Sequence, residues 1–135
     1  MKSVLVDSNV ILDVATEDPM WLGWSSDQLA ACASESDLII NAIIYAEVSV
    51  GFERIEDLDD ALPPELFRRE ALPFEAGFLA GKAFLKYRRR GGSRPSPLPD
   101  FLIGAHAAIG GYRLLTRDPT RYSSYYPSIP LVAPD

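Results

Sequence analysis

The chain has almost none of the residues that build disulfide-stapled scaffolds or imidazole-based active sites. Of 135 residues, one is cysteine (Cys32) and one is histidine (His106). A single thiol excludes an internal disulfide framework and a cysteine-cluster zinc site, and a reducing cytoplasm is the expected compartment. No basic residue lies close to Cys32 in sequence, so it reads as a small core residue and not as a nucleophile. A single imidazole excludes phosphodiester cleavage by a histidine acid–base pair. No apolar run approaches the roughly 18 residues of a membrane span, so no membrane association is expected. The apolar start carries Asp7 and Asp13 and lacks a small-residue cleavage site, which marks a first strand and helix and not a signal peptide. Excess positive charge is missing too. A net charge of −6 argues against sequence-blind coating of nucleic acid. It leaves room for an enzyme whose acids gather around a cation while separate basic residues hold phosphates.

What is present is an alternation of strand and helix signals. Val4, Leu5 and Val6 form a short apolar run that stops on Asp7, in the manner of a buried parallel strand. Ser8 or Asn9 can cap a short helix with Val10, Ile11 and Val14 inward. Asp18-Pro19 is expected to open a second helix, proline being well placed at the first position. Asp37 to Asn41 reads as a second buried strand. Ile43, Ile44, Val48 and Phe52 have helical spacing, and Leu58 and Leu62 stand one turn apart in a short acidic amphipathic segment. Ala71-Leu72-Pro73-Phe74 is expected to be a short edge strand, where proline is tolerated. Phe78, Leu79, Ala83 and Phe84 form the stripe of a helix from Glu75 to Tyr87. Phe101 to about Ile109 forms another, ended by Gly110-Gly111. Arg113 to Thr116 reads as a strand, and a short turn leads from Asp118-Pro119 to an edge strand over Ile129 to Val132. Such an order, without hairpin signals, favours an α/β fold: a three-layer α/β/α sandwich with a mostly parallel central sheet, in one domain over residues 1–135.

Four acids stand at junctions of this pattern. Each has an ordinary explanation. Asp7 can cap the helix behind it, Glu47 can face solvent, Asp100 can complement a helix dipole behind Pro99, and Asp118-Pro119 is a common turn opener. Together they fall at strand ends or in early helical turns, and in a parallel sheet these places share the carboxyl edge, where ligands collect. Carboxylates gathered there raise one another's pKa, a cost that a divalent cation removes. All-oxygen donors select magnesium or manganese before zinc. Asn9 and Thr116 add neutral oxygen donors. His106, six residues beyond Asp100, falls on another side of the helix and reads as a packing residue.

The segments Val4-Leu5-Val6-Asp7-Ser8-Asn9, Tyr45-Ala46-Glu47, Leu98-Pro99-Asp100 with His106 behind it, and Leu115-Thr116-Arg117-Asp118 resemble the signature segments of PIN-domain ribonucleases. The likeness is greatest to the VapC-type toxins of prokaryotic toxin–antitoxin pairs. It runs in order and spacing from Lys2 to about Val132, departing at Ala46, where the family often has a polar residue. The resemblance implies a catalytic set of Asp7, Glu47, Asp100 and Asp118, with Asp7, Asp100 and Asp118 on magnesium (manganese as substitute) and Asn9 and Thr116 in support. It implies hydrolysis of RNA to 5′-phosphate and 3′-hydroxyl ends, a cognate antitoxin as partner, a homodimer within that assembly, and an antitoxin groove near Leu58 and Leu62. Ordinary packing of a short acidic helix explains that last segment equally well.

The basic run Lys86 to Arg94 leads directly to Asp100. Arg88, Arg89, Arg90 and Arg94, together with Arg117, are candidate RNA contacts; the alternative is a solvated helix end. Two other readings keep the acids but change the chemistry or the role. A stand-alone PIN nuclease for RNA processing would lack an adjacent antitoxin gene. A receiver-type signalling module needs paired acids after the first strand and a late lysine, where this chain has Ser8-Asn9 and Arg117-Asp118.

Overall fold

The computed structural model describes residues 2–92 and 97–135. Val4–Val6 forms strand β1, fully buried, and Ser8–Ala15 forms helix α1. Then come α2 (Leu22–Glu35), β2 (Leu38–Ile40), α3 (Ala42–Ser49), α4 (Ile55–Ala61) and β3 (Phe67–Arg69). The chain continues through α5 (Phe74–Arg89), α6 (Leu98–Gly110), β4 (Arg113–Leu115), α7 (Thr120–Tyr125) and β5 (Leu131–Val132). The five strands form one sheet in the order β3-β2-β1-β4-β5, and every described pairing is parallel. Val4 pairs with Leu38 on one side and with Arg113 on the other, so β1 is the central strand.

This order explains where a site can form. From β1 the chain steps outward through β2 to β3, then returns past β1 to β4 and β5. Right-handed crossovers therefore place α1 to α4 on one face and α5 to α7 on the other, completing the three-layer α/β/α sandwich. The connections diverge between β1 and β4. A crevice opens there at the carboxyl ends of the strands, and Asp7 and Thr116 stand on its two sides. The core beneath is one cluster including Val4, Leu5, Val6, Ile39, Ile40, Ile44, Phe101, Ile103, Leu114 and Leu115.

Several elements differ from the pattern expected from sequence. The second helix does not begin at Pro19. The Asp18 carboxylate accepts hydrogen bonds from the Met20 and Trp21 backbone N–H groups, each at 2.9 Å, and that local turn delays helix α2 to Leu22. The third strand is Phe67–Arg69, not residues 71–74. Phe67 is buried, whereas Pro73, with no N–H to give a ladder, is the N-cap of α5. Helix α5 buries Ala76, Ala80 and Ala83 and leaves Phe74 and Phe78 at 95% and 65% exposure. Of the expected stripe, Ala83 is buried, Leu79 and Phe84 are half-buried, and Phe78 is out. The alanine row lets α5 pack directly on α6.

The expected turn after Asp118 is helix α7, which buries Tyr122, and Tyr126 at its C-cap is buried as well. Its close approach depends on Gly104 of α6, where a Cβ would lie 2.5 Å from the Tyr126 ring. Helix α6 ends as expected: Gly111 is left-handed at φ 69°, and Tyr112 N–H reaches back to the Ala107 carbonyl. Among the described residues no helix is long and apolar enough to cross a membrane.

Candidate acidic active site

Asp7 follows the last residue of β1 and caps α1. Its Oδ1 accepts the Ser8 N–H at 2.8 Å. Its Oδ2 accepts the hydroxyls of Thr116 and Tyr122, both at 2.9 Å, and the Asn9 amide at 3.4 Å. All four donors are neutral, and the side chain is 4% exposed. Burial pushes the Asp7 carboxyl up to about 6; the Thr116 and Tyr122 hydroxyls oppose this and the charge of Asp100 adds to it.

Glu47 reaches the same place from α3. The Ser8 hydroxyl donates to its Oε1 at 2.9 Å, tying the start of α1 to α3. Burial raises the Glu47 pKa, the Ser8 hydroxyl opposes, and the charges of Asp7 and Asp100 raise it further. The Tyr122 phenol is also pushed up, by burial first and then by the charges of Asp7, Asp100 and Glu47. Three carboxylates therefore share one electrostatic field around Tyr122, although they come from β1, α3 and α6.

Asp100 lies in the first turn of α6 and is paired with the Arg121 guanidinium of α7. Arg121 in turn lies over the Tyr87 and Phe101 rings, 5.7 and 5.9 Å from their centroids. Asp118 stands at the rim, with its side chain 73% exposed. Its N–H donates to Thr116 Oγ1 at 3.1 Å and its Oδ2 accepts the Asn9 amide at 3.4 Å. Asn9 and Thr116 thus link Asp7 to Asp118.

The donor set fits a hard divalent cation. Every candidate atom is oxygen, and Asp7 and Glu47 have their pKa values raised by burial first and then by neighbouring acid charge, from Asp100 on Asp7 and from Asp7 and Asp100 on Glu47. Among the described residues no three acidic side chains are already arranged to clasp one ion. The field is shared while the cage stands open.

Beside the acids a cleft of about 610 Å³ is lined by Tyr87, Asp100, Asp118, Thr120, Arg121, Ser124 and Tyr125. Arg88 and Arg89 lie in the last turn of α5 and Arg90 caps it. The Arg90 guanidinium sits over the Tyr125 ring at 5.0 Å, at the edge of the cleft, and Arg88 over Phe84 at 5.9 Å. Arg94 lies outside the described residues. Arg117 is engaged chiefly by Asp13 and also lies within ion-pair distance of Asp118, its Nη1 3.9 Å from Oδ2. Its Nε binds Asp13 Oδ2 at 2.8 Å and Oδ1 at 3.1 Å, with the Trp21 ring 5.5 Å from the guanidinium. Asp13 is 2% exposed and also accepts the Ser25 hydroxyl at 2.8 Å.

His106 is fully buried away from the acids, as its helical position predicted. Asn41 spends its Oδ1 on the Ile44 N–H, capping α3, so its amide must donate to His106 Nδ1, at 2.9 Å. The ring proton then sits on Nε2 and points at Glu70 Oε1, 3.1 Å away. Leu58 and Leu62 are buried in the core; a cleft of about 260 Å³ between α3 and α4 is lined by Leu58 with Tyr45, Phe52 and Ile55, among others.

Tyr122, Arg121, Ser8 and Asp13 escaped the sequence reading. Ser8 had a signal, since it directly follows Asp7. Tyr122 and Arg121 lie in the stretch read as a turn, and only the packing of α7 on α6 turns them inward.

A family model describing the PIN domain matches residues 4–123. Three solved structures superpose on nearly the whole chain. VapBC2 from Rickettsia felis, bound to a promoter DNA fragment, gives a TM-score of 0.74 at 17% identity, covering 98% of this chain and 99% of that one. VapBC-1 from nontypeable Haemophilus influenzae gives 0.71 at 18%, covering 97% of both chains. FitAcB from Neisseria gonorrhoeae gives 0.67 at 18%, covering 95% of both. No curated protein sequence matches the chain significantly. A match over nearly the whole length, joined to an all-parallel sheet with acids at its switch point, shows that the chain belongs to the PIN domain family, whose members are nucleases that generally use divalent metal ions.

Proposed function

We propose that this protein is a magnesium-dependent endoribonuclease of the VapC type, the toxin of a toxin–antitoxin pair, acting in the cytoplasm as one nuclease domain. The observation that carries the reading is the electrostatic coupling of Asp7, Glu47 and Asp100 at the carboxyl edge, with Asp7 buried among neutral donors alone. A buried carboxylate held only by neutral groups is costly, and the family's chemistry supplies a reason to keep it.

Asp7, Asp100 and Asp118 would hold the magnesium ion, with manganese as substitute. Once bound, such an ion supplies a water of lowered pKa and offsets charge on the phosphate. The chain's own groups do the rest. Tyr122 and Thr116 hold Asp7 Oδ2, and Asn9 ties Asp7 to Asp118. Ser8 holds Glu47 by Oε1, which leaves Oε2 to take the proton of the attacking water; the raised pKa of Glu47 suits that task. Arg88, Arg89 and Arg90, with Arg94, bind the RNA backbone. Arg117 contributes by holding the β4–α7 loop on Asp13.

The structural neighbours are toxin–antitoxin complexes covered almost end to end, and that likeness supports a cognate antitoxin as partner; a homodimer within that assembly is part of the same proposal. Sequencing of RNA ends after induction, wild type against Asp7→Asn, tests the reading. The wild type should yield new 5′-phosphate and 3′-hydroxyl ends, and Asp7→Asn should lower their yield on the order of 10³-fold or more. Ends bearing 2′,3′-cyclic phosphate, or equal cleavage by both proteins, would overturn it.

A further inference from the structure

Two of the acids, Asp100 and Asp118, line the cleft of about 610 Å³, and its other walls, with Tyr87, Thr120, Ser124 and Tyr125, have no part in cutting. We propose that this cleft binds one unpaired RNA nucleotide next to the scissile phosphate, its base stacked on Tyr125. The inference rests on the nuclease reading and adds a base-binding subsite to it.

The size suits a nucleotide, and the opening onto Asp100 and Asp118 puts any occupant beside the cutting centre. Tyr87 and Tyr125 are held rigidly: both meet Phe101 edge-on, with centroids 5.8 and 5.0 Å away, and stand 6.5 Å from each other. Each ring already carries a planar cation on its face, Arg90 on Tyr125 at 5.0 Å and Arg121 on Tyr87 at 5.7 Å. A nucleobase is a planar group of the same reach. It can take the Tyr125 face in place of Arg90, and the displaced arginine then meets the flanking phosphates.

Thr120 and Ser124 stand one turn apart on α7 and both line the cleft. Among the described residues neither hydroxyl makes a side-chain hydrogen bond, so both are available to a base edge or a 2′-hydroxyl. A paired base offers neither its face nor its edge, so the occupant is single-stranded.

The test is equilibrium binding by fluorescence anisotropy, in EDTA, of a fluorescein-labelled single-stranded RNA decamer pool to the Asp7→Asn protein, in which cleavage is blocked. Adding Tyr125→Ala should weaken binding about 5- to 150-fold, the range for loss of one base–aromatic stack. Tyr125→Phe should stay within about twofold, since the ring is kept. Ser124→Trp, at an exposed position on the cleft wall, should fill the space and weaken binding as Tyr125→Ala does, without touching the core. Unchanged affinity in both Tyr125→Ala and Ser124→Trp overturns the subsite while leaving wild-type cleavage, and so the nuclease reading, standing. Failure of the wild type to cleave RNA with magnesium, while these affinity changes hold, overturns the nuclease reading and not the cleft.

Discussion

Asp7 and Asp13 are buried carboxylates six residues apart, one at the N-cap of α1 and one inside it, and the molecule treats them in opposite ways. Asp13 has a cation of its own: Arg117 grips both oxygens and Ser25 adds a hydroxyl. Asp7 is held by four neutral donors, and the charge that adds to its raised pKa is that of another acid, Asp100. The first arrangement is a finished ion pair that staples the β4–α7 loop to α1 and α2. The second is unfinished, and the positive charge that would complete it is what a divalent ion brings. Burial alone does not separate a structural acid from a functional one; the identity of its partners does.

The comparison can be broken most severely at Arg117. Replacing it by methionine leaves Asp13 buried without its cation, and removing one partner of a buried pair costs about 3–5 kcal/mol. Urea unfolding at neutral pH should show that cost, and an unchanged midpoint would mean the pair is ornamental.

Asp7→Asn should act with the opposite sign. The Asp7 pKa is raised from 3.8 to about 6, so its contribution to stability is fully present below about pH 4 and lost as pH rises through about 6. A shift of this size corresponds to about 3 kcal/mol. Metal-free Asp7→Asn, which cannot ionise, should therefore be more stable than wild type at pH 7.5 and nearly equal to it at pH 4. A stability gap independent of pH would contradict the assigned cause.

Magnesium should narrow that gap. At about a hundredfold excess over its dissociation constant a ligand stabilises by about 2.7 kcal/mol. The melting temperature of the wild type should rise accordingly, and that of Asp7→Asn should stay put. A similar rise in both proteins would place the ion elsewhere.

The smallest effect belongs to the basic end of α5. Alanine at Arg88, Arg89 and Arg90 should weaken RNA binding and flatten its dependence on salt. The log–log slope should shrink by about 0.7 for each phosphate of a single strand that is no longer neutralised. An unaltered slope would return these residues to the role of a solvated helix end.

Much of this was legible beforehand. Val4, Leu5 and Val6 announce a buried strand because a strand covered on both faces is apolar at every position, and Asp7 behind them announces a cap. Glu47, Asp100 and Asp118 stand out as candidates because they punctuate the same pattern. Helix α7 was not found, since Thr120 to Tyr125 is polar apart from its tyrosines and is held by Tyr122 and Tyr126 against Gly104. The span of helix α5 is legible but its inner face is not, because Phe78 outweighs alanine on any hydrophobic scale while only alanine allows α6 to come close.

The alternation of strands and helices, the cap at Asp7 and the glycine stop of α6 are legible in the sequence itself, and so is the choice of candidate acids, because burial periodicity and capping are properties of neighbours along the chain. Which acid receives a cation was settled only in three dimensions. Arg117 and Arg121 lie four positions apart in the chain, yet one reaches Asp13 and the other Asp100. Their partners are chosen by the β1–β4 register and by the seat of α7 on α6, since Coulomb attraction depends on distance through space and not on separation along the chain.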